Sequence, residues 1–233
     1  MRLLGIETST LTGSVALLDD DVVVAEYSLN VATTHSERLL ASIHRLLEES
    51  GFTLTSLDGL AVSVGPGSFT GLRIGLATAK GLAFASGHPL VGVPTLDALA
   101  WGVPFATYPV CPLLDAKKGE VYSALYRHRS GALERLTEYR VLPPDHLLQE
   151  RGDGPICFLG DGVLAYRDRI VQAMGDRAYF VPPSRRYPSA ACVAELGARR
   201  LAARDAADPA TLVPIYVRPS EAELTKARRA ARN

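Results

Sequence analysis

Apolar positions in this chain keep two rhythms. The runs RLLGIETS, GSVALLD and VVVAEYS open the sequence and are joined at Thr12-Gly13 and through Asp19, Asp20 and Asp21. Short β-rich runs bounded by turn residues and lying this close together predict an antiparallel meander. HSERLLASIHRLLEESG then sets Leu39, Leu40, Ile43, Leu46 and Leu47 at helical spacing, with Gly51 as a stop, which predicts an amphipathic helix. LDGLAVSVG reads as a strand, TGLRIGLATAKGLAFASG as a helix, and PLVGV as a strand running into PTLDALAWG. The order β-β-β-α-β-α-β-α calls for a mixed sheet with helices against it.

The second half begins the same way. YPVCPLLDAKKGEVYSALYRHRSGALERLTEYRVL gives three strand-like runs with turns near Lys118-Gly119 and Ser130-Gly131. PICFLGDG is a further strand, and VLAYRDRIVQAMG and SAACVAELGARRLAARDA are helices. Three strands followed by α/β units, twice over, point to a duplicated α/β fold with halves at 1–104 and 105–218. A basic end, 219–233, carries Lys226, Arg228, Arg229 and Arg232. It reads as a solvated terminus, with a short RNA-contacting extension as the alternative.

Composition narrows the classes. The 233 residues, 47% apolar and 21% charged, are those of an ordinary globular protein with length enough for a core. Basic and acidic side chains both number 25, so no net charge steers the chain toward nucleic acid. Contact with RNA then needs a local patch or a partner. The three scattered cysteines, Cys111, Cys157 and Cys192, fit core thiols in a reducing compartment better than a disulfide framework. The opening apolar run reaches Glu7 too soon for a signal peptide, and no run approaches the roughly 20 residues of a membrane helix. The expectation is a cytoplasmic protein without a membrane partner.

The stretch VGPGSFTGLRIGLATAKGLA, 64–83, raises the chemical question. A glycine-rich turn opening a helix can cradle a phosphate with free N–H groups. A P-loop fails because Thr70 stands where its second glycine belongs, and a dinucleotide fingerprint fails because Gly71 comes one residue late after Gly65 and Gly67. A nucleophile elbow fails because Phe69 and Thr70 follow Ser68. What remains is a turn at Gly65-Pro66-Gly67, a cap from Ser68 or Thr70, and a helix with Gly71, Gly75, Ala79 and Ala83 four apart. Such a face admits close approach of another element, and an interior glycine, costing about 1 kcal/mol against alanine, points to packing over anion binding. The five histidines, His35, His44, His88, His128 and His146, form no pair at ligand spacing. Glu7 with Thr8, Ser9 and Thr10 is the best polar constellation, either a phosphate or cation site or a set of satisfied turn caps.

LGIETST, THSERLL, GPGSFTGLRIG with AKGLA, VGVPTLDALA, DAKKGEVY and PIYVR, in order from residue 1 to about Arg218, resemble the bacterial TsaB family, also called YeaZ. The resemblance implies an actin/hexokinase/Hsp70-like fold of two RNase H-like halves. It implies a part in making N6-threonylcarbamoyladenosine at position 37 of tRNAs that read codons beginning with A. In that pathway the family looks like the non-catalytic partner of TsaD, with TsaE as a further ATPase. It is expected to form a homodimer when alone, to contact tRNA mainly through the complex, and to hold no metal or resident cofactor. A nucleotide at the partner interface stays open. Relatives of the catalytic subunit carry an H-x-x-x-H metal pair where this chain has Thr95 and Leu99, and these two cannot hold a transition metal. Asp115 and Glu120 would repel an anion in the second half unless Lys117 or Lys118 compensates.

Residue by residue, the resemblance marks Glu7, Thr8 and Ser9 as a vestigial phosphate loop. It marks Gly65, Pro66, Gly67, Ser68, Thr70 and Arg73 as the family-motif loop. Leu39, Ile43, Leu46, Gly71, Gly75 and Ala79 are the expected interface with TsaD or a second copy, so that Gly75→Leu should abolish pairing and leave the monomer folded. The competing classes are a stand-alone ATP-dependent kinase or ATPase using Glu7, Thr8 and Ser9, and a degenerate M22-type metallopeptidase homologue.

Overall fold

A computed structural model describes residues 1–31, 35–150 and 152–218; the basic end at 219–233 lies outside the described residues. The first sheet is built from β1 (Arg2–Glu7), β2 (Thr12–Asp19), β3 (Val22–Asn30), β4 (Gly59–Gly65) and β5 (Leu90–Pro94), in the order β3-β2-β1-β4-β5. The first three run antiparallel, and β4 and β5 join parallel. Alternation along β1 divides the packing, because successive side chains leave opposite faces of a strand. Leu4 and Ile6 meet α1 (His35–Ser50) and α2 (Phe69–Ser86) in a core with Leu39, Ile43, Leu46, Leu76 and Ala79. Leu3, on the other face, packs with Val193 and Ala194 of α6 (Ala190–Ala202).

That last helix comes from the far end of the chain. It sits so close that a Cβ at Gly197 would collide with the Ala61 side chain and one at Gly5 with the Ala190 carbonyl. Ser189 caps it, accepting from Ala191 N at 3.1 Å, and Ser14 accepts from Ala190 N at 2.9 Å.

After α3 (Thr95–Trp101) the chain builds the second sheet from β6 (Val110–Asp115), β7 (Val121–Ser123), β8 (Tyr126–Arg129), β9 (Ala132–Arg135), β10 (Arg140–Leu142), β11 (Ile156–Leu159) and β12 (Ala178–Phe180). Its main order is β10-β7-β6-β11-β12, with β8 pairing β6 and β9. Helices α4 (Pro144–Glu150) and α5 (Gly162–Met174) cover it. Asp97 of α3 ties the halves together, its Oδ1 accepting from the hydroxyls of Tyr126 at 2.7 Å and Tyr139 at 2.8 Å. Beyond α6 the chain returns along the first sheet. Ala207 N donates to Leu90 O at 2.9 Å and Ile215 N to Val64 O at 2.7 Å, while Leu212 and Ile215 join the α1–α2 core.

The order expected for the first hundred residues is the one observed. In the second half the β-rich stretch divides into five short strands where periodicity predicts three, and α4 and β12 were not foreseen. Elements of three to seven residues complete too few periods to register as a pattern. Among the described residues no helix is long and apolar enough to cross a membrane.

Candidate functional site: a cleft closed on one side

A cleft of about 500 Å³ opens where the end of β1, the start of α2 and the β6–β7 turn converge. Its first wall is the Glu7–Thr12 turn. Glu7 is fully buried; its Oε1 accepts from Ser9 N at 2.5 Å and its Oε2 has no hydrogen-bond partner. Burial pushes its carboxyl up to about 7, outweighing the nearby Ser9 and Ser63 groups that favour the charge. Thr10 Oγ1 donates to Thr12 O at 3.1 Å. Two of its bonds are internal, while Glu7 Oε2, Ser9 Oγ and Thr12 Oγ1 are buried without a partner.

The glycine-rich loop lies on this turn. Ser68 N donates to Ser9 O at 2.6 Å, and a Cβ at Gly67 would collide with that carbonyl and stand 2.8 Å from Ser9 Cβ. Ser68 caps α2, its Oγ accepting from Gly71 N at 3.3 Å. Gly65 adopts φ +102 and is hemmed by Leu72 and the Ile215 carbonyl, which leaves no room for a side chain. What the loop cradles is the β1–β2 turn.

The small-residue stripe has a matching explanation. Thr8 Oγ1 donates to Gly71 O at 2.8 Å, and a Cβ at Gly75 would collide with that hydroxyl. Gly71, Gly75 and Ala79 are buried against the chain's own sheet, and Leu39, Ile43 and Leu46 fill its core at 6%, 3% and 0% exposure. The six positions expected at a partner interface thus face inward, since a helix resting on a sheet must spend one face on it. Gly75→Leu should therefore disturb folding in this chain before it can report on pairing. The outward faces of the same helices carry Leu40 and Ala41 on α1 and Ala77, Gly81, Phe84 and Ala85 on α2. Leu40 is 58% and Phe84 91% exposed, and nothing approaches the Gly81 position within 4 Å.

The second wall is charged. Asp115 accepts from Lys117 twice at 2.8 Å, from its backbone N and from its Nζ. The carboxylate holds the ammonium above the usual lysine range. Asp161 accepts from Asp115 N at 3.0 Å, and burial raises its carboxyl. Arg218 donates to Glu120 Oε2 at 2.5 Å and to Ala116 O at 2.8 Å. Lys117 does compensate Asp115, as the sequence allowed, and a distant arginine compensates Glu120. Thr95 is fully buried with its Oγ1 unpartnered, and Leu99 packs among Leu96, Val110 and Leu114. Among the described residues no group of three His, Cys, Asp or Glu side chains is arranged to hold a metal.

A protein-family model described as TsaD, tRNA N6-adenosine threonylcarbamoyltransferase, matches residues 27–226. Relatives decide which branch of that group this is. The chain is 34% identical to the tRNA threonylcarbamoyladenosine biosynthesis protein TsaB of Bacillus subtilis over 226 residues, 96% of each chain. The chain belongs to the TsaB family. The crystal structure of YeaZ from Pseudomonas aeruginosa superposes with a TM-score of 0.80 at 29% identity, covering 92% of this chain and 99% of that one. A further likeness concerns the fold alone: component A of (R)-2-hydroxyglutaryl-CoA dehydratase from Acidaminococcus fermentans, TM-score 0.52 at 12% identity over 87% of this chain. The architecture, two mixed sheets with helices against them, is the duplicated α/β one that the repeated strand pattern implied.

In this TsaB-family chain the motif loop does not act as one unit. Gly65, Pro66, Gly67 and Ser68 form the turn against Ser9, and Thr70 lines the cleft. Arg73 points away from the Ser9 turn, stacking over Phe69 at 3.8 Å and donating to Tyr216 OH at 3.2 Å. Asp161 and Phe84 were not singled out from the sequence, and Leu40 was read only as an apolar position of the first helix. Asp161 had a signal, an acidic residue between two glycines directly after an apolar strand. Phe84 and Leu40 had none, because apolar residues on both sides of a helix do not say which side is covered.

Proposed function

We propose that this chain is a non-catalytic subunit that works with a TsaD-type transferase in forming N6-threonylcarbamoyladenosine on tRNA. The observation that carries the reading is the closure of the first wall. At Glu7, Thr8 and Ser9, where a kinase of this fold would bind phosphate, the glycine-rich loop occupies the turn and Ser68 takes the Ser9 carbonyl. Thr95 and Leu99 supply no metal ligands, so the chemistry is left to the partner. TsaE joins the larger complex, and tRNA is met mainly through it.

The partner surface in this reading is the outward face of the α1–α2 pair, centred on Leu40 and Phe84. Exposed aromatic and aliphatic side chains of this kind supply binding energy when desolvated. The test is reconstitution of tRNA modification from purified TsaD, TsaE and threonylcarbamoyl-AMP, with and without this protein. Modification should require it, and it should modify nothing alone. Undiminished product in its absence, or turnover by the solitary chain, overturns the reading. Phe84→Asp should leave the fold intact and weaken TsaD binding by roughly tenfold or more in calorimetry.

A further inference from the structure

Residues 207–218 cross from one half of the molecule to the other. Leu212 and Ile215 are seated in the first core, and Ile215 is bonded to the end of β4. Tyr216 then stacks on Phe69 with ring centroids 5.3 Å apart and accepts from Arg73, so the segment is pinned to the first turns of α2. Two residues later Arg218 reaches the β6–β7 turn of the second half, holding the Glu120 carboxylate and the Ala116 carbonyl together. Its side chain is 21% exposed and that of Glu120 30%. A forked guanidinium bond at this degree of burial is stronger than an exposed ion pair. Arg218 also lines the cleft, so the crossing lies at its edge.

We propose that residues 212–218 form a latch that couples α2 to the β6–β7 turn across the cleft, so that the hold on α2 and the closure of the second wall are gained or lost together. Three anchors in seven residues make this more than a packed terminus. The strap is too short to yield at Tyr216 without carrying Arg218, because adjacent Cα atoms are about 3.8 Å apart and two residues leave little slack. A change at the outer face of α2 would in this way reach the cleft through the strap. The inference stands on the chain alone and does not depend on the proposed partner.

Amide hydrogen exchange on the purified chain tests it, with three reporters at the two ends. Ala116 N donates to Glu120 O, Glu120 N to Lys117 O, and Ile215 N to Val64 O. Tyr216→Ala, on the α2 side, should speed exchange at Ala116 and Glu120 across the cleft by about tenfold, the scale of one charge-assisted hydrogen bond lost in local opening. Arg218→Ala should speed Ile215 likewise, and Arg218→Lys should restore part of the protection. The β1 and β11 amides should stay unchanged in all three variants. Effects confined to the mutated end, or acceleration spread evenly through β1 and β11, overturn the latch.

Discussion

On one wall of the cleft a carboxyl group and three hydroxyls are buried beneath a glycine-rich loop; on the other, Asp115, Glu120 and Arg218 are partly exposed, Lys117 is exposed, and the four are paired as ions. The first wall is a packed interior whose parts meet at van der Waals distance, so it changes only by unfolding locally. The second is held by an exposed ammonium at Lys117 that water can take over at little cost and by the more buried Arg218–Glu120 pair, which opens only when the strap lets go. A fold of two α/β halves has put rigidity on one side of its cleft and adjustability on the other. Motion in the cleft is therefore to be sought at the β6–β7 turn and the strap that reaches it.

The sharpest way to break the contrast is at Gly75. A leucine there cannot be accommodated against Thr8, and Gly75→Leu should prevent folding, seen as loss of a cooperative melting transition. Gly75→Ala should cost about 1–3 kcal/mol, the range for overpacking. Combining it with Thr8→Ala should recover part of that loss in a double-mutant cycle. Simple additivity would show that the stripe does not seat on Thr8.

Next in size is Glu7. Its carboxyl is raised to about 7 from an ordinary 4.5, so the folded chain keeps a proton that the unfolded chain releases. Stability should fall as pH rises between those values and level off above them. Glu7→Gln removes that slope. It should match the wild type in acid and exceed it by roughly 3 kcal/mol at about pH 8, at about 1.4 kcal/mol per pKa unit. Equal pH profiles in urea denaturation would mean the site is wetter than its burial indicates.

The smallest effect belongs to the second wall. Lys117 is 78% exposed, and its bond to Asp115 should contribute no more than about 0.5 kcal/mol. Lys117→Ala should change the melting temperature by little, and the change should shrink further in high salt. A loss as large as that of Gly75→Ala would erase the distinction between the walls.

Much of this was legible from pattern. The order of elements in the first half, the Ser68 cap, the Gly51 stop and the use of Gly71 and Gly75 for close approach follow from local rules about periodicity, caps and missing side chains. The failed phosphate motifs were legible too, since each needs residues at stated spacings. Arg218 pairing with Glu120, 98 residues away, left no trace in the sequence. Nor did the return of α6 to the first sheet, which depends on where the chain arrives after building the second.

Local chemistry alone settled that Leu39, Leu40, Ile43, Ala79 and Phe84 belong to two helices, because hydrogen bonding along the chain sets that geometry wherever the helix lies. It took the folded molecule to divide them into Leu39, Ile43 and Ala79 beneath and Leu40 and Phe84 outside. Which side of a helix meets water is decided by the position of the sheet it rests on, and that position is a property of distant residues brought together.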